Sequence, residues 1–278
     1  MKLFRTREGS ITAVDTRTAL TTQGSDTAPG PLLVPSGMKY IVGVLVSHVA
    51  SQTVATGYSA LLRLEGAGLL KGPECLAVGA GGNAVATGGN VAVRPKFLPI
   101  SLEVEEGNEI QLFGEMCGTD VGSLEMAATL VFADALPSGA AANRTFTVEG
   151  DISSADTKTN LTTQGSTSAP SPVVPSGVKM IRRIFVAVAA EGLADGFQTF
   201  LLRLGGNAVL GGEQVITVGA AARVAVQSGS DAAPQVVEAT VLEDLEIEVR
   251  ANDTSAIAAD GAGTDTGTPH VAVTLVYE

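Results

Sequence analysis

At 278 residues, with 45% apolar but only 4% aromatic side chains and no Trp, the chain can fill two cores of about 130 residues each from Val, Leu, Ile and Ala. A formal charge of −12, from 29 acidic against 17 basic residues, sets most of the surface against a phosphate backbone and argues against direct nucleic-acid binding. No apolar run is long enough for a transmembrane segment, and Met1 to Arg7 lacks the apolar centre of a signal peptide, so a chain made soluble in the cytoplasm is expected.

In chain order, Ile11 to Val14 and Leu32 to Val34 are short apolar runs with strand character. The turn Pro35-Ser36-Gly37 leads into the Val- and Ile-rich stretch from Met38 to Ser47. Tyr58 to Leu64 alternates, Leu76 to Val78 and Val91 to Val93 are short strands, and Glu109 to Phe113 alternates again before a closing strand at Ala127 to Ala133. Ala133 to Asn143 is small, Pro- and Gly-containing and aperiodic, which marks a linker.

The pattern then repeats. Leu20-Thr21-Thr22-Gln23-Gly24-Ser25 returns as Leu161-Thr162-Thr163-Gln164-Gly165-Ser166, and Pro35-Ser36-Gly37 as Pro175-Ser176-Gly177 ahead of the strand from Val178 to Ala189. Leu61-Leu62-Arg63-Leu64 returns as Leu201-Leu202-Arg203-Leu204, and Val78-Gly79-Ala80 as Val218-Gly219-Ala220. Leu245 to Val249 alternates, and Thr129-Leu130-Val131-Phe132 returns as Thr274-Leu275-Val276-Tyr277 in the closing strand His270 to Glu278. The spacing between copies lengthens towards the end, so insertions fall in loops. The expectation is an all-β chain of two tandem homologous antiparallel β-sandwich domains, 1–133 and 144–278, joined by a linker at 134–143. About eight strands per module suit a jelly roll better than an immunoglobulin-like sandwich, whose core Trp and repeated Cys pair are missing.

Catalytic chemistry is not visible. His48 and His270 stand at non-equivalent places, so the paired His and Glu ligands of a two-barrel metal enzyme are not available, and His48 aligns with Val188 as a strand residue. Neither histidine has a nucleophile motif around it. The acidic runs Glu103, Glu105, Glu106, Glu109 and Glu243, Asp244, Glu246, Glu248 suit solvated strand faces better than a glycosidase pair, since the aromatic platforms of sugar sites are lacking. Asp120 with Asp265, and Asp253 with Asp260, are oxygen-rich positions without a calcium-loop motif, and turn chemistry accounts for them. Cys75 and Cys117 have no counterparts in the second copy and are expected as buried free thiols. The repeated polar residues Asp15 and Asp156, Gln23 and Gln164, and Arg63 and Arg203 remain, with the acids and amides suited to turns and the arginines to a sheet edge or an acid across an interface. No catalytic, cofactor-binding or metal-binding residue is assigned, and no enzyme is expected.

The repeat length, the strand count and the Pro-Ser-Gly turns before Met38 to Val46 and Val178 to Val186 resemble the tandem jelly-roll structural proteins of icosahedral bacterial and archaeal viruses. That resemblance implies a cofactor-free virion capsid protein, made in the host cytoplasm, whose partners are itself, as a trimer, and other virion proteins. The likeness of the two halves and their few aromatics depart from the family and bring in decoration or spike proteins. A non-catalytic carbohydrate- or receptor-binding module is the alternative from another class.

Overall fold

The computed structural model describes residues 1–26, 29–52, 57–82, 89–118, 122–152, 156–168, 171–189, 196–223, 235–238, 240–263 and 269–278. Every regular element in them is a strand, and no helix is long and apolar enough to cross a membrane. The first half contains β1 (Lys2–Ile11), β2 (Thr18–Ala19), β3 (Tyr40–Gln52), β4 (Gly57–Glu65), β5 (Glu74–Gly82), β6 (Gly89–Leu98), β7 (Leu102–Glu103), β8 (Gln111–Gly118) and β9 (Ser123–Ala133). The second contains β10 (Arg144–Asp151), β11 (Thr159–Asn160), β12 (Thr163–Gln164), β13 (Thr167–Ser168), β14 (Met180–Ala189) and β15 (Gly196–Gly206). It continues with β16 (Gln214–Arg223), β17 (Gln235–Glu238), β18 (Thr240–Leu242), β19 (Ile247–Glu248), β20 (Ser255–Gly263) and β21 (His270–Tyr277).

All pairings are antiparallel. The first half forms one sheet in the order β1-β9-β3-β6 and a second in the order β2-β8-β4-β5. The second half repeats both orders, as β10-β21-β14-β18 and β11-β20-β15-β16. In each half the two sheets close over one apolar core. Leu62, Met116, Leu130 and Phe132 lie in the first, and Leu202, Ile257, Leu275 and Tyr277 in the second. The turns that feed β3 and β14 hold Gly37 and Gly177 at φ 77° and 84°, a conformation that a side chain would strain.

The halves differ where the second meets the first. β17 leaves its own sheet and pairs along β5, from Gln235 opposite Gly82 to Glu238 opposite Gly79, so the first half's sheet ends on a strand of the second. The outward side chains Leu61, Cys75, Ala77 and Cys117 of β4, β5 and β8 pack on Ala187, Ala189 and Ala272 of β14 and β21. The sandwiches are thus stacked face on face, through opposite sheets of the repeat. Small residues let the two sheets approach closely.

Leu62 and Leu202 are fully buried at equivalent core positions. Leu62→Ala and Leu202→Ala should each lower stability by about 3 kcal/mol in urea titration, whereas Val215→Ala at the surface should stay within about 0.5 kcal/mol.

Candidate functional site

Alternation decides what the outer face of the β2-β8-β4-β5 sheet carries. In β4, Leu62 and Leu64 turn into the core, which leaves Arg63 outward. In β8, Met116 turns inward and Glu115 outward, next to Arg63. Glu115 is fully buried, with Arg63 Nε donating to its Oε2 at 2.5 Å. Its other oxygen accepts the Ser166 backbone N–H at 2.9 Å and the Ser166 hydroxyl. Arg63 also donates from Nη1 to Gln164 Oε1 at 3.0 Å and from Nη2 to the Gln164 carbonyl. Gln164 is fixed in turn, because its Nε2 donates to the Thr147 carbonyl at 2.8 Å. The Gln-Gly-Ser turn of the second half therefore completes a buried ion pair of the first.

Two further clusters lie along the same junction. Glu74 accepts from Arg144 Nε at 2.9 Å and from the Thr145 backbone at 2.8 Å, and burial holds its carboxyl above the usual range despite these partners. A bulge between Ala60 and Leu61 of β4 and their β5 partners turns the Ala77 N–H away from the ladder, and it donates to Thr274 Oγ1 at 2.7 Å. Thr274 Oγ1 lies 2.8 Å from Thr147 Oγ1, which donates to the Cys75 carbonyl.

His270 sits at the rim, with Nδ1 2.7 Å from Asp151 Oδ1 and Nε2 2.9 Å from Glu149 Oε2, the latter too oblique for a directed hydrogen bond. Burial pulls the ring's pKa down, but the Asp151 and Glu149 carboxylates outweigh it and raise it to about 9, so the ring is a cation at neutral pH. Asp15 of the first half enters the same cleft, of about 370 Å³, where burial and then Glu149 raise its pKa.

The remaining candidates are dispersed. His48 is buried in β3, its Nδ1 3.2 Å from Tyr58 Oη, and burial lowers its pKa to about 3. Its Nε2 has no hydrogen-bond partner among the described residues and lies against Gly79, where any Cβ would collide. Cys75 and Cys117 are buried and unbridged, and burial pushes the Cys75 thiol up to about 12. Asp15 and Asp156 occupy equivalent turns at φ 49° and 53°, their N–H groups donating to Met116 and Gly261. Asp253 pairs with Arg250 and Asp260 with Arg203, while Asp120 and Asp265 lie outside the described residues. Glu103 pairs with Lys71, Glu243 with Arg183 and Glu246 with Arg182 at the surface. No group of three or more metal-ligating side chains occurs among the described residues.

No family model matches this chain, and no curated protein matches it in sequence. Among solved structures it is similar to N-glycanase F (PNGase F), at 11% identity and a TM-score of 0.41, over 99% of this chain and 95% of that one. It is similar to the major capsid protein P2 of bacteriophage PM2, at 9% identity and a TM-score of 0.29, over 100% and 97%. It is also similar to the CBM22-1–CBM22-2 tandem domain of Paenibacillus barcinonensis Xyn10C, at 10% identity and a TM-score of 0.23, over 98% and 92%. At such scores the likeness is one of architecture and selects no function.

Removing Arg63 leaves Glu115 buried without a counter-charge, so Arg63→Ala should lower stability by about 3 kcal/mol or more in urea titration. Arg203→Ala should lower stability clearly less than Arg63→Ala in the same titration, because the Arg203 side chain is 29% exposed and water can replace part of its role. His270, with a folded pKa of about 9 against an ordinary 6.5, contributes stability that is complete below pH 6.5 and is lost as pH rises through 9. Urea titrations should show that decline in the native chain and a flatter profile between those values in His270→Gln.

Proposed function

We propose that the chain is a virion structural protein, a capsid protein whose two modules, each a jelly roll, form an oligomeric tile of an icosahedral shell. Decoration of such a shell is the adjoining role. The observation that carries this reading is where the buried charge lies. Among the buried charged side chains, Arg63, Glu74 and Glu115 bond across the junction between the modules, and Glu149 and His270 line the cleft that Asp15 enters, while Arg7 and Asp260 bond within their own modules. A ligand-binding or catalytic protein aims its costly buried groups at a pocket; a building block uses them to hold its parts at a fixed angle.

On this reading no cofactor is needed, the chain is not an enzyme, and its partners are other copies of itself and other virion proteins. A trimer would set six similar modules around one axis, the arrangement a hexagonal tile requires. The acidic surface keeps the free tile soluble before assembly.

Mass photometry of the purified chain across concentration and salt, followed by negative-stain imaging, tests the proposal. Discrete oligomers or closed shells are expected. A strict monomer under every condition would overturn it in favour of a carbohydrate- or receptor-binding module.

A further inference from the structure

The junction inside the chain joins two different faces of one repeated module, and each face has a second, uncovered copy at the far side of the other module. We infer that a second copy of this chain docks there, repeating the internal junction between molecules in a head-to-tail contact. The inference rests on the reading of the chain as an assembling protein and adds the surface it assembles through.

Four observations carry it. First, the acceptor pair is duplicated: Arg203 Nε binds Asp260 Oδ2 in the second module as Arg63 Nε binds Glu115 Oε2 in the first. Glu115 has its other oxygen filled by Ser166, whereas Asp260 Oδ1, in a residue 7% exposed, is buried with no hydrogen-bond partner among the described residues. The Gln23-Gly24-Ser25 turn that would fill it in another copy is the repeat of the turn that fills Glu115.

Second, the threonine clasp is duplicated. Thr6 Oγ1 and Thr129 Oγ1 lie 2.8 Å apart on the outer face of the first module, as Thr147 and Thr274 do in the junction. The bulge that frees the Ala77 N–H recurs between Phe200 and Leu201, which places Thr217 at the corresponding point.

Third, the surface shapes correspond. A hollow of about 650 Å³ on the first module is lined by Glu8, Gly9, Ser10, Thr21, Thr22 and Glu125. These are the repeats of Glu149, Gly150, Asp151, Thr162, Thr163 and His270, which line the cleft that Asp15 enters. Asp156 occupies the turn equivalent to that of Asp15 and would enter the hollow.

Fourth, the polar cluster around Glu74 is not repeated, since Leu3 and Gln214 stand where Arg144 and Glu74 pair, and its replacement is apolar. Where Thr145 meets Glu74 and Cys75, the open faces carry Phe4 and Val215, which are 56% and 50% exposed. Two large exposed apolar side chains would meet there. A further departure is electrostatic, because Glu125 stands in the place of His270 and meets Glu8 and Asp156 with like charge. Salt should therefore strengthen the contact.

Sedimentation velocity of the full chain tests it with one arginine on each face, Ala127→Arg and Val215→Arg, after circular dichroism confirms folding. Each variant should weaken self-association at least about tenfold. Their equimolar mixture should give a one-to-one dimer, since each keeps the face the other has lost. Under mild oxidation Thr129→Cys/Thr217→Cys should form a disulfide-linked ladder. Oligomers that survive both arginines, or a mixture with no dimer and no cysteine ladder, would overturn this contact while leaving the shell reading intact. A native chain that never associates would overturn both.

Discussion

Glu115 has no exposed surface, and a carboxylate in that position survives only if its charge is matched and its lone pairs are filled. Its own module supplies the charge through Arg63, but the filling hydrogen bonds come from Ser166, and the arginine is aimed by Gln164. The first sandwich is therefore incomplete without the second. Phe185 and Val276 make the same point in apolar terms, since they are strands' outward residues in the second module and yet belong to the first module's core. The unusual composition follows. A sheet with a core on one side and a neighbouring sheet on the other favours small side chains such as Ala187, Ala189, Ala272, Cys75 and Cys117 where the two approach most closely.

Duplication explains why the same devices occur twice, and position explains how they have diverged. The covered acid is Glu115, long enough to reach a partner turn while held by Arg63; its open counterpart Asp260 is one methylene shorter. On the other face, Ser47 and Val49 replace Ala187 and Ala189, and Glu125 replaces His270, so the open copy is larger and more acidic than the covered one. A histidine cation between Glu149 and Asp151 is useful only where Asp15 is pressed against it. On an open face a carboxylate keeps the surface hydrated instead.

Much of the fold was legible because the repeat and the alternation report on the same thing. Leu61 to Leu64 and Leu201 to Leu204 fall within β4 and β15, and the Pro-Ser-Gly turns precede β3 and β14. Other elements escaped for identifiable reasons. β1 and β10 interleave Arg, Thr and Glu with few apolar residues, so no apolar run marks them, and β20 is too rich in Ala and Gly to alternate. Leu245 to Val249 alternates clearly but contributes only the short β19, because it edges β14 instead of crossing a sheet. Of the junction, the repeated Gln and Arg residues were visible as a set. Their pairing was not, because aligning the copies sets Arg63 upon Arg203, whereas in space Arg63 meets Gln164. Glu115 was invisible for a different reason, as a lone acid in a Gly-rich strand has no pattern to single it out.

A junction between unlike faces has a consequence that a twofold junction does not. A twofold contact uses the same patch on both partners and is exhausted by two modules, whereas a face-to-back contact always leaves one face and one back uncovered. Two fused modules end with an open sheet on each side, and whether further copies close into a ring or run on as a filament depends on the rotation at each step. A charge of −12 bears on that outcome. It opposes the approach of every further copy, so that addition at the ends depends on salt, while the covalently joined internal junction forms regardless. Covalent continuity between β9 and β10 thus separates a contact that must form from contacts whose formation the medium can govern.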